Sequence, residues 1–218
     1  MTVQAVFFDL DGTLVDSLQD LTDAVNYMLT ETGRPALELN QVRQLVGKGA
    51  RNLVQRALES SHIEEIEQGL RLFTVYNSAH IADSSRLYPG IPEQLHILSE
   101  SGFRMAVISN KNEALCRQIL QVLEIAHLFE CIAGGDTFTE MKPSPLPLLT
   151  IAGKLGLSPS QAVMIGDSDN DILAGIRAGI RTIGCRWGYG QPGELDQASR
   201  IVSTPSELHQ ALTLPEGN

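Results

Sequence analysis

At 218 residues the chain is long enough to bury a sizeable core, as one domain of ordinary size or as a core carrying a smaller module. Apolar residues make up 43% and charged residues 19%, with no low-complexity run, which excludes the disordered and fibrous classes. The 16 basic against 26 acidic residues give a net charge of -10, which argues against tracking a nucleic-acid backbone, and no apolar stretch of about 18 residues argues for a membrane span.

The first predicted element is a buried strand over Ala5 to Phe8, an apolar run closed by Asp9 and a Gly12-Thr13 turn. Polar chemistry then sits at the carboxyl end of a strand, where open parallel sheets bind ligands. From residue 17 the period becomes helical: Leu18, Leu21, Val25, Met28 and Leu29 follow Ser17 as the expected N-cap and stop at Gly33-Arg34-Pro35. Val46, Ala50, Leu53, Val54, Ala57 and Leu58 predict a second helix, and Ile63, Ile66, Leu70 and Phe73 a third. No strand is expected between residue 17 and about residue 80.

After Tyr88-Pro89-Gly90 helices and strands alternate. A helix from about Pro92 to Ser101 precedes the apolar run Met105 to Ile108, which ends in Ser109-Asn110-Lys111; a helix over Asn112 to Leu123 and a weaker strand at Cys131 to Ala133 follow. A helix containing Leu148, Ile151, Ala152 and Leu155 leads to the run Ala162 to Ile165, ending in Gly166-Asp167. Another helix begins near Asp169 and stops at Gly179, before a strand at Thr182 to Cys185. This alternation implies an α/β fold, a doubly wound, Rossmann-like parallel sheet, with the helical stretch inserted after the first strand as a hinged lid. The expected division is a core of residues 1-15 and 86-218 and a smaller α-helical cap domain of residues 16-85.

Four polar clusters carry the chemistry: Asp9-Leu10-Asp11-Gly12-Thr13, Ser109-Asn110-Lys111, Lys142-Pro143, and Gly166-Asp167-Ser168-Asp169-Asn170-Asp171. Three follow apolar strand candidates directly, so a parallel sheet would gather them in one crevice. Carboxylates gathered so closely repel one another unless a cation keeps them ionised, and all-oxygen ligation favours a hard ion such as magnesium. A lysine in the same place would help to neutralise a phosphate. An Asp carboxylate can then attack phosphorus while a second carboxylic acid protonates the leaving oxygen and later activates water. Strand alternation would put Asp9 and Asp11 on one face, unless the Gly12 turn bends the chain.

Phe8-Asp9-Leu10-Asp11-Gly12-Thr13-Leu14 is similar to the first motif of the haloacid dehalogenase (HAD) superfamily, and the other three clusters match its later motifs in order across nearly the whole chain. The resemblance implies a HAD core with Asp9 as nucleophile and metal ligand, and Asp11 as acid/base whose backbone carbonyl also faces the metal. It implies Lys142 pairing with the nucleophile and phosphate, Asp167 on magnesium, and Asp171 orienting the metal's waters. Thr13, Ser109 and Asn110 would contact the phosphorylated substrate. The second acid, Asp11, sets phosphate ester hydrolysis apart from dehalogenation. Val46-Gly47-Lys48-Gly49-Ala50 resembles the cap loop of phosphoglycolate phosphatases, so Gly47, Lys48 and Arg51 are expected to face the substrate, and 2-phosphoglycolate is the expected one. Gly134-Gly135-Asp136 and Trp187-Gly188-Tyr189-Gly190 agree with that subgroup.

Plainer readings stand beside these. Asn110 could cap the following helix, Asp169 is read as the N-cap of the next one, Lys48 and Arg51 could be solvated charges, and Lys111 could face substrate or water. Alternative functions are a sugar-phosphate phosphatase, a pyrophosphatase, a β-phosphoglucomutase-like phosphomutase and, more remotely, a phospho-accepting receiver domain. Cys116, Cys131 and Cys185 lack a CxxC spacing and no signal peptide is visible, so a cytoplasmic location is expected. His62, His80, His96, His127 and His209 lack metal-site spacing and are read as surface or packing residues. The expected partner is a small phosphorylated metabolite, with no nucleic acid and no membrane, bound by a monomer or homodimer.

Overall fold

The first apolar run becomes the middle of a sheet. In the computed structural model, which describes residues 2–213, β1 (Ala5–Phe8) is flanked on both sides by parallel strands, so all four of its side chains are buried. Val6 and Phe8 enter one hydrophobic cluster, and Ala5 and Phe7 a second on the opposite face. A strand covered on both faces reads as a continuous apolar run, not as an alternating one.

The chain continues through β2 (Val15–Asp16) into four helices, α1 (Leu18–Glu31), α2 (Leu39–Arg43), α3 (Gly49–Leu58) and α4 (Ile63–Ala79), and returns through β3 (Arg86–Leu87). The remainder alternates: α5 (Ile91–Glu100), β4 (Arg104–Ile108), α6 (Glu113–Val122), β5 (Cys131–Ala133), α7 (Leu146–Lys154), β6 (Ala162–Gly166), α8 (Asp169–Ala178), β7 (Arg181–Cys185), β8 (Arg200–Val202) and α9 (Leu208–Thr213). The main sheet has the order β5-β4-β1-β6-β7-β8 with every pair parallel. Helices α5, α6 and α9 pack on one face, and α7 and α8 on the other. This is the doubly wound α/β core, with a helical insertion after its first strand.

The insertion buries its own cluster, in which Leu21, Val25, Met28 and Leu29 of α1 meet Val42 of α2, Leu53, Val54 and Leu58 of α3, and Phe73 of α4. Its entry and exit strands pair antiparallel, Val15 with Leu87 and Asp16 with Arg86. The paired linker strands, the five-residue helix α2, β8 and α9 are elements beyond those expected from the sequence, and Ser168, not Asp169, is the N-cap of α8. Ser17 does precede α1, but its hydroxyl makes no capping bond because it donates to Asp11.

Candidate active site

β1 ends at Phe8, and the Asp9 N–H continues the ladder to the Ile165 carbonyl (2.9 Å), fixing Asp9 at the carboxyl edge of the central strands. The backbone then turns. Gly12 has φ +91°, and a Cβ there would overlap the Asp167 carboxylate, so both conformation and space require glycine. This turn gives the two acids separate partners. Lys142 Nζ stands 2.9 Å from Asp9 Oδ1, whereas Lys111 Nζ lies 3.3 Å from both oxygens of Asp11, and the Ser17 hydroxyl donates to Asp11 Oδ1 at 2.6 Å. Lys111 is thus buried with its ammonium paired to Asp11.

Lys142 is 2% exposed and also donates to Asp171 Oδ1 at 2.6 Å. Asp171 is held from its other oxygen by the N–H (3.1 Å) and hydroxyl (2.9 Å) of Ser168, because the capping box that starts α8 uses Asp171 as its third residue. Asp167 directly follows β6 and accepts from the Thr13 hydroxyl (3.1 Å) and the Tyr189 N–H (2.7 Å). Asp9, Asp167 and Asp171 each bring a carboxylate oxygen within 4.8 Å of the others.

Burial pushes the Asp9 carboxyl up to about 6, against the pull of Lys142 and with the push of Asp171. Asp167 is pushed up to about 8, first by burial and then by the charges of Asp9 and Asp171. Burial works against the Lys142 ammonium, yet Asp171 and Asp9 together hold its pKa above the usual lysine range.

Sequence reasoning assigned no role to three residues of the surrounding frame. The loop after β7 carries Tyr189, whose N–H holds Asp167 and whose hydroxyl accepts from Ser17 N (2.7 Å) and donates to Asp16 Oδ1 (2.9 Å), next to the entry strand of the insertion. Trp187 Nε1 donates to the Thr13 carbonyl (3.0 Å). Arg43 of α2 reaches across to the Gly188 carbonyl (2.6 Å). The motif Trp187-Gly188-Tyr189-Gly190 was visible in the sequence, but nothing in it told which distant groups it would join.

A cavity opens between the sheet edge and the insertion. Asp9, Asp11, Ser109, Asn110 and Lys111 line it from the core; Gly47, Gly49, Leu53 and Phe73 line it from the insertion. Asn110 does not cap α6, which Asn112 does; its amide donates to the carbonyls of Gly47 (3.0 Å) and Lys142 (2.8 Å), joining the loop before α3 to the lysine. Other expected contacts are not brought together. Arg51 turns to Glu67 of α4 at 2.5 Å, Lys48 is exposed beside a neighbouring polar cavity, and the Thr13 hydroxyl is spent on Asp167. On α3, the position of Arg51 puts it nearer the acidic flank of α4 than the cavity.

The family model described as haloacid dehalogenase-like hydrolase matches residues 6–185. The chain belongs to this family. Among similar proteins, phosphoglycolate phosphatase 1 of Pseudomonas aeruginosa is 42% identical over 212 residues, covering 93% of this chain and 77% of that protein. Phosphoglycolate phosphatase of Neisseria meningitidis is 40% identical over 220 residues, covering 96% and 94%. A crystal structure of a predicted phosphoglycolate phosphatase from Haemophilus somnus superposes with a TM-score of 0.92 at 33% identity, covering 97% of this chain and 98% of that one. CbbY from Rhodobacter sphaeroides, in complex with phosphate, superposes with a TM-score of 0.86 at 26% identity, covering 98% and 100%.

In this haloacid dehalogenase-like hydrolase the fit of a cation can be judged from the donors themselves. Three buried carboxylates cluster beside one ammonium, which pairs with Asp9 and Asp171 alone, and a divalent ion would offset the remaining negative charge. Asp9 Oδ1 is buried and makes no hydrogen bond among the described residues, its contact with Lys142 at 2.9 Å being an ion pair. All donors are hard oxygens, which suits magnesium better than zinc or copper.

Proposed function

We propose that this phosphoric monoester hydrolase is a magnesium-dependent phosphatase that cleaves a small phosphate ester, 2-phosphoglycolate, through an aspartyl phosphate on Asp9. The observation that carries the reading is the separation of two carboxylates two residues apart: Asp9 beside Lys142 in the acidic cluster, and Asp11 outside it against Lys111. This separation supports a division of labour in which Asp9 forms the bond to phosphorus and Asp11 moves the proton.

In the first step the Asp9 carboxylate attacks phosphorus, the P–O ester bond breaks, and Asp11 gives its proton to the departing oxygen. In the second, Asp11 takes a proton from water, the water oxygen bonds phosphorus, and the Asp9–phosphorus bond breaks to release phosphate. Lys142 and the Ser109 hydroxyl would bind the phosphoryl oxygens. Asp9, Asp167 and Asp171 would hold magnesium, which when bound supplies positive charge that keeps the carboxylates ionised and offsets that of the phosphate. The helical insertion, residues 16-85, would act as a cap over the cavity, with the β2–β3 pair as its hinge.

The substrate rests on the names of the relatives and on the cavity between cap and core. A sugar-phosphate phosphatase is the second reading, favoured by the likeness to CbbY, one of whose structures holds xylulose-1,5-bisphosphate. Phosphate release from a panel of small esters with magnesium separates the two. The expected result is a steep preference for phosphoglycolate that chelation abolishes; equal or better turnover of sugar phosphates contradicts the substrate, and full activity in chelator contradicts the metal.

A further inference from the structure

Asn77 lies on α4 one helical turn beyond Phe73, so the two side chains share a face, and both line the cavity that holds Asp9 and Asp11. Asn77 is 2% exposed, and its Oδ1 is buried without a hydrogen-bond partner. The insertion surrounds it in the cavity with Leu21, Val46, Ala50 and Leu53, none of which can pair with an amide through its side chain. Neither cation expected on this side helps, since Arg51 is paired with Glu67 and Lys48 borders a different cavity. A buried amide left unpaired costs stability, and leucine has nearly the same shape. An amide at this place therefore calls for a partner that is not among the described residues.

Resting on the reading of this cavity as a phosphatase substrate site, we propose that Asn77 is its specificity-determining residue: it hydrogen-bonds the polar end of the leaving group while the apolar walls hold the stem. The class selected is a phosphate ester with a short stem and a single hydrogen-bonding terminus. A hexose phosphate would set several hydroxyls against Leu21, Leu53 and Phe73 without partners, and is disfavoured for that reason. A hydroxyl terminus donates to Oδ1 as it stands, and a carboxylate is held by the same amide turned about its Cβ–Cγ bond, which brings the Nδ2 donor to that place, with Lys111 lining the same cavity.

The test is kcat/KM with magnesium for phosphoglycolate, 2-hydroxyethyl phosphate, ethyl phosphate and glucose 6-phosphate, together with Tm, for the unaltered chain and for Asn77→Leu. The unaltered chain should prefer the two polar-ended short esters. Asn77→Leu should reduce the preference for phosphoglycolate over ethyl phosphate by about ten- to a hundredfold and raise Tm, because an unpaired amide is removed. Asn77→Asp, which keeps the shape, should turn the preference away from phosphoglycolate toward 2-hydroxyethyl phosphate by charge repulsion. Unchanged preferences in both variants, a preference of the unaltered chain for glucose 6-phosphate, or a lower Tm with equal loss on all four esters would overturn the role of Asn77 while leaving the phosphatase reading intact. Failure to hydrolyse any of the four would overturn both.

Discussion

Lys142 is the residue on which the acidic cluster depends, because one buried ammonium faces Asp9 at 2.9 Å and Asp171 at 2.6 Å. Lys142→Met keeps the length of the side chain and removes the charge. It is expected to lower kcat by about 10²–10³-fold, the usual cost of losing one preorganised charge at a developing centre. It should also destabilise the metal-free protein near neutral pH by about 3–5 kcal/mol, since two buried carboxylates lose their counter-ion. The deficit should shrink in acid, where the carboxyls take up protons. Equal Tm values for the two proteins at neutral pH would show that Lys142 does not hold the cluster together.

The elements bring these residues together by two means that differ in how clearly the sequence announces them. The strand ends were legible: Asp9, Ser109 and Asp167 each follow an apolar run, and runs buried on both faces are hard to mistake. The long helices were legible for the same reason, with α1, α3 and α4 showing helical periodicity. The two-residue strands β2 and β3 were not, because two residues carry no period, and α2 buries only Val42. The carboxy-terminal β8 and α9 follow a polar segment and went unread as well.

The loop after β7 was visible only as a motif, since its partners in the amino-terminal part are over 140 positions away in sequence: Arg43 holds Gly188, and Tyr189 joins Ser17. Gly188 tests its importance, since a Cβ there would overlap the Gly12 carbonyl and the Asp167 side chain. Gly188→Ala should displace the Tyr189 N–H from Asp167 and weaken magnesium activation by about 10–100-fold, the usual effect of disturbing a group that orients a metal ligand. An unchanged magnesium titration would mean that the loop does not orient Asp167.

At the scale of the molecule, the buried acids make stability depend on pH in a direction opposite to that of ordinary surface carboxylates. Asp9 and Asp167 have an ordinary value of 3.8 and are pushed up to about 6 and about 8, so folding favours their protonated forms. This contribution is fully present below about pH 4 and is lost as pH rises through both folded values. The Tm component from this site should therefore fall between about pH 5 and about pH 8.5 in chelator and flatten with saturating magnesium, whose binding would release protons. A magnesium-induced rise in Tm that is largest at the acid end would contradict the assignment. No described helix is long and apolar enough to cross a membrane.

Arg43 on the insertion, the β2–β3 pair and the Asn110–Gly47 bond connect the helical part to the sheet edge, so Asp9, Asp11 and the cavity wall, the proposed nucleophile, proton donor and substrate wall, belong to one arrangement. That arrangement has its centre at Asp9, and the covalent step there is the claim on which the rest turns. The direct measurement is acid quenching during turnover of phosphoglycolate with magnesium, followed by peptide mass spectrometry. The expected result is a single phosphoryl group on Asp9, present in the unaltered chain and absent in Asp9→Asn; a phosphoryl group on another residue, or Asp9→Asn retaining magnesium-dependent turnover, would contradict it.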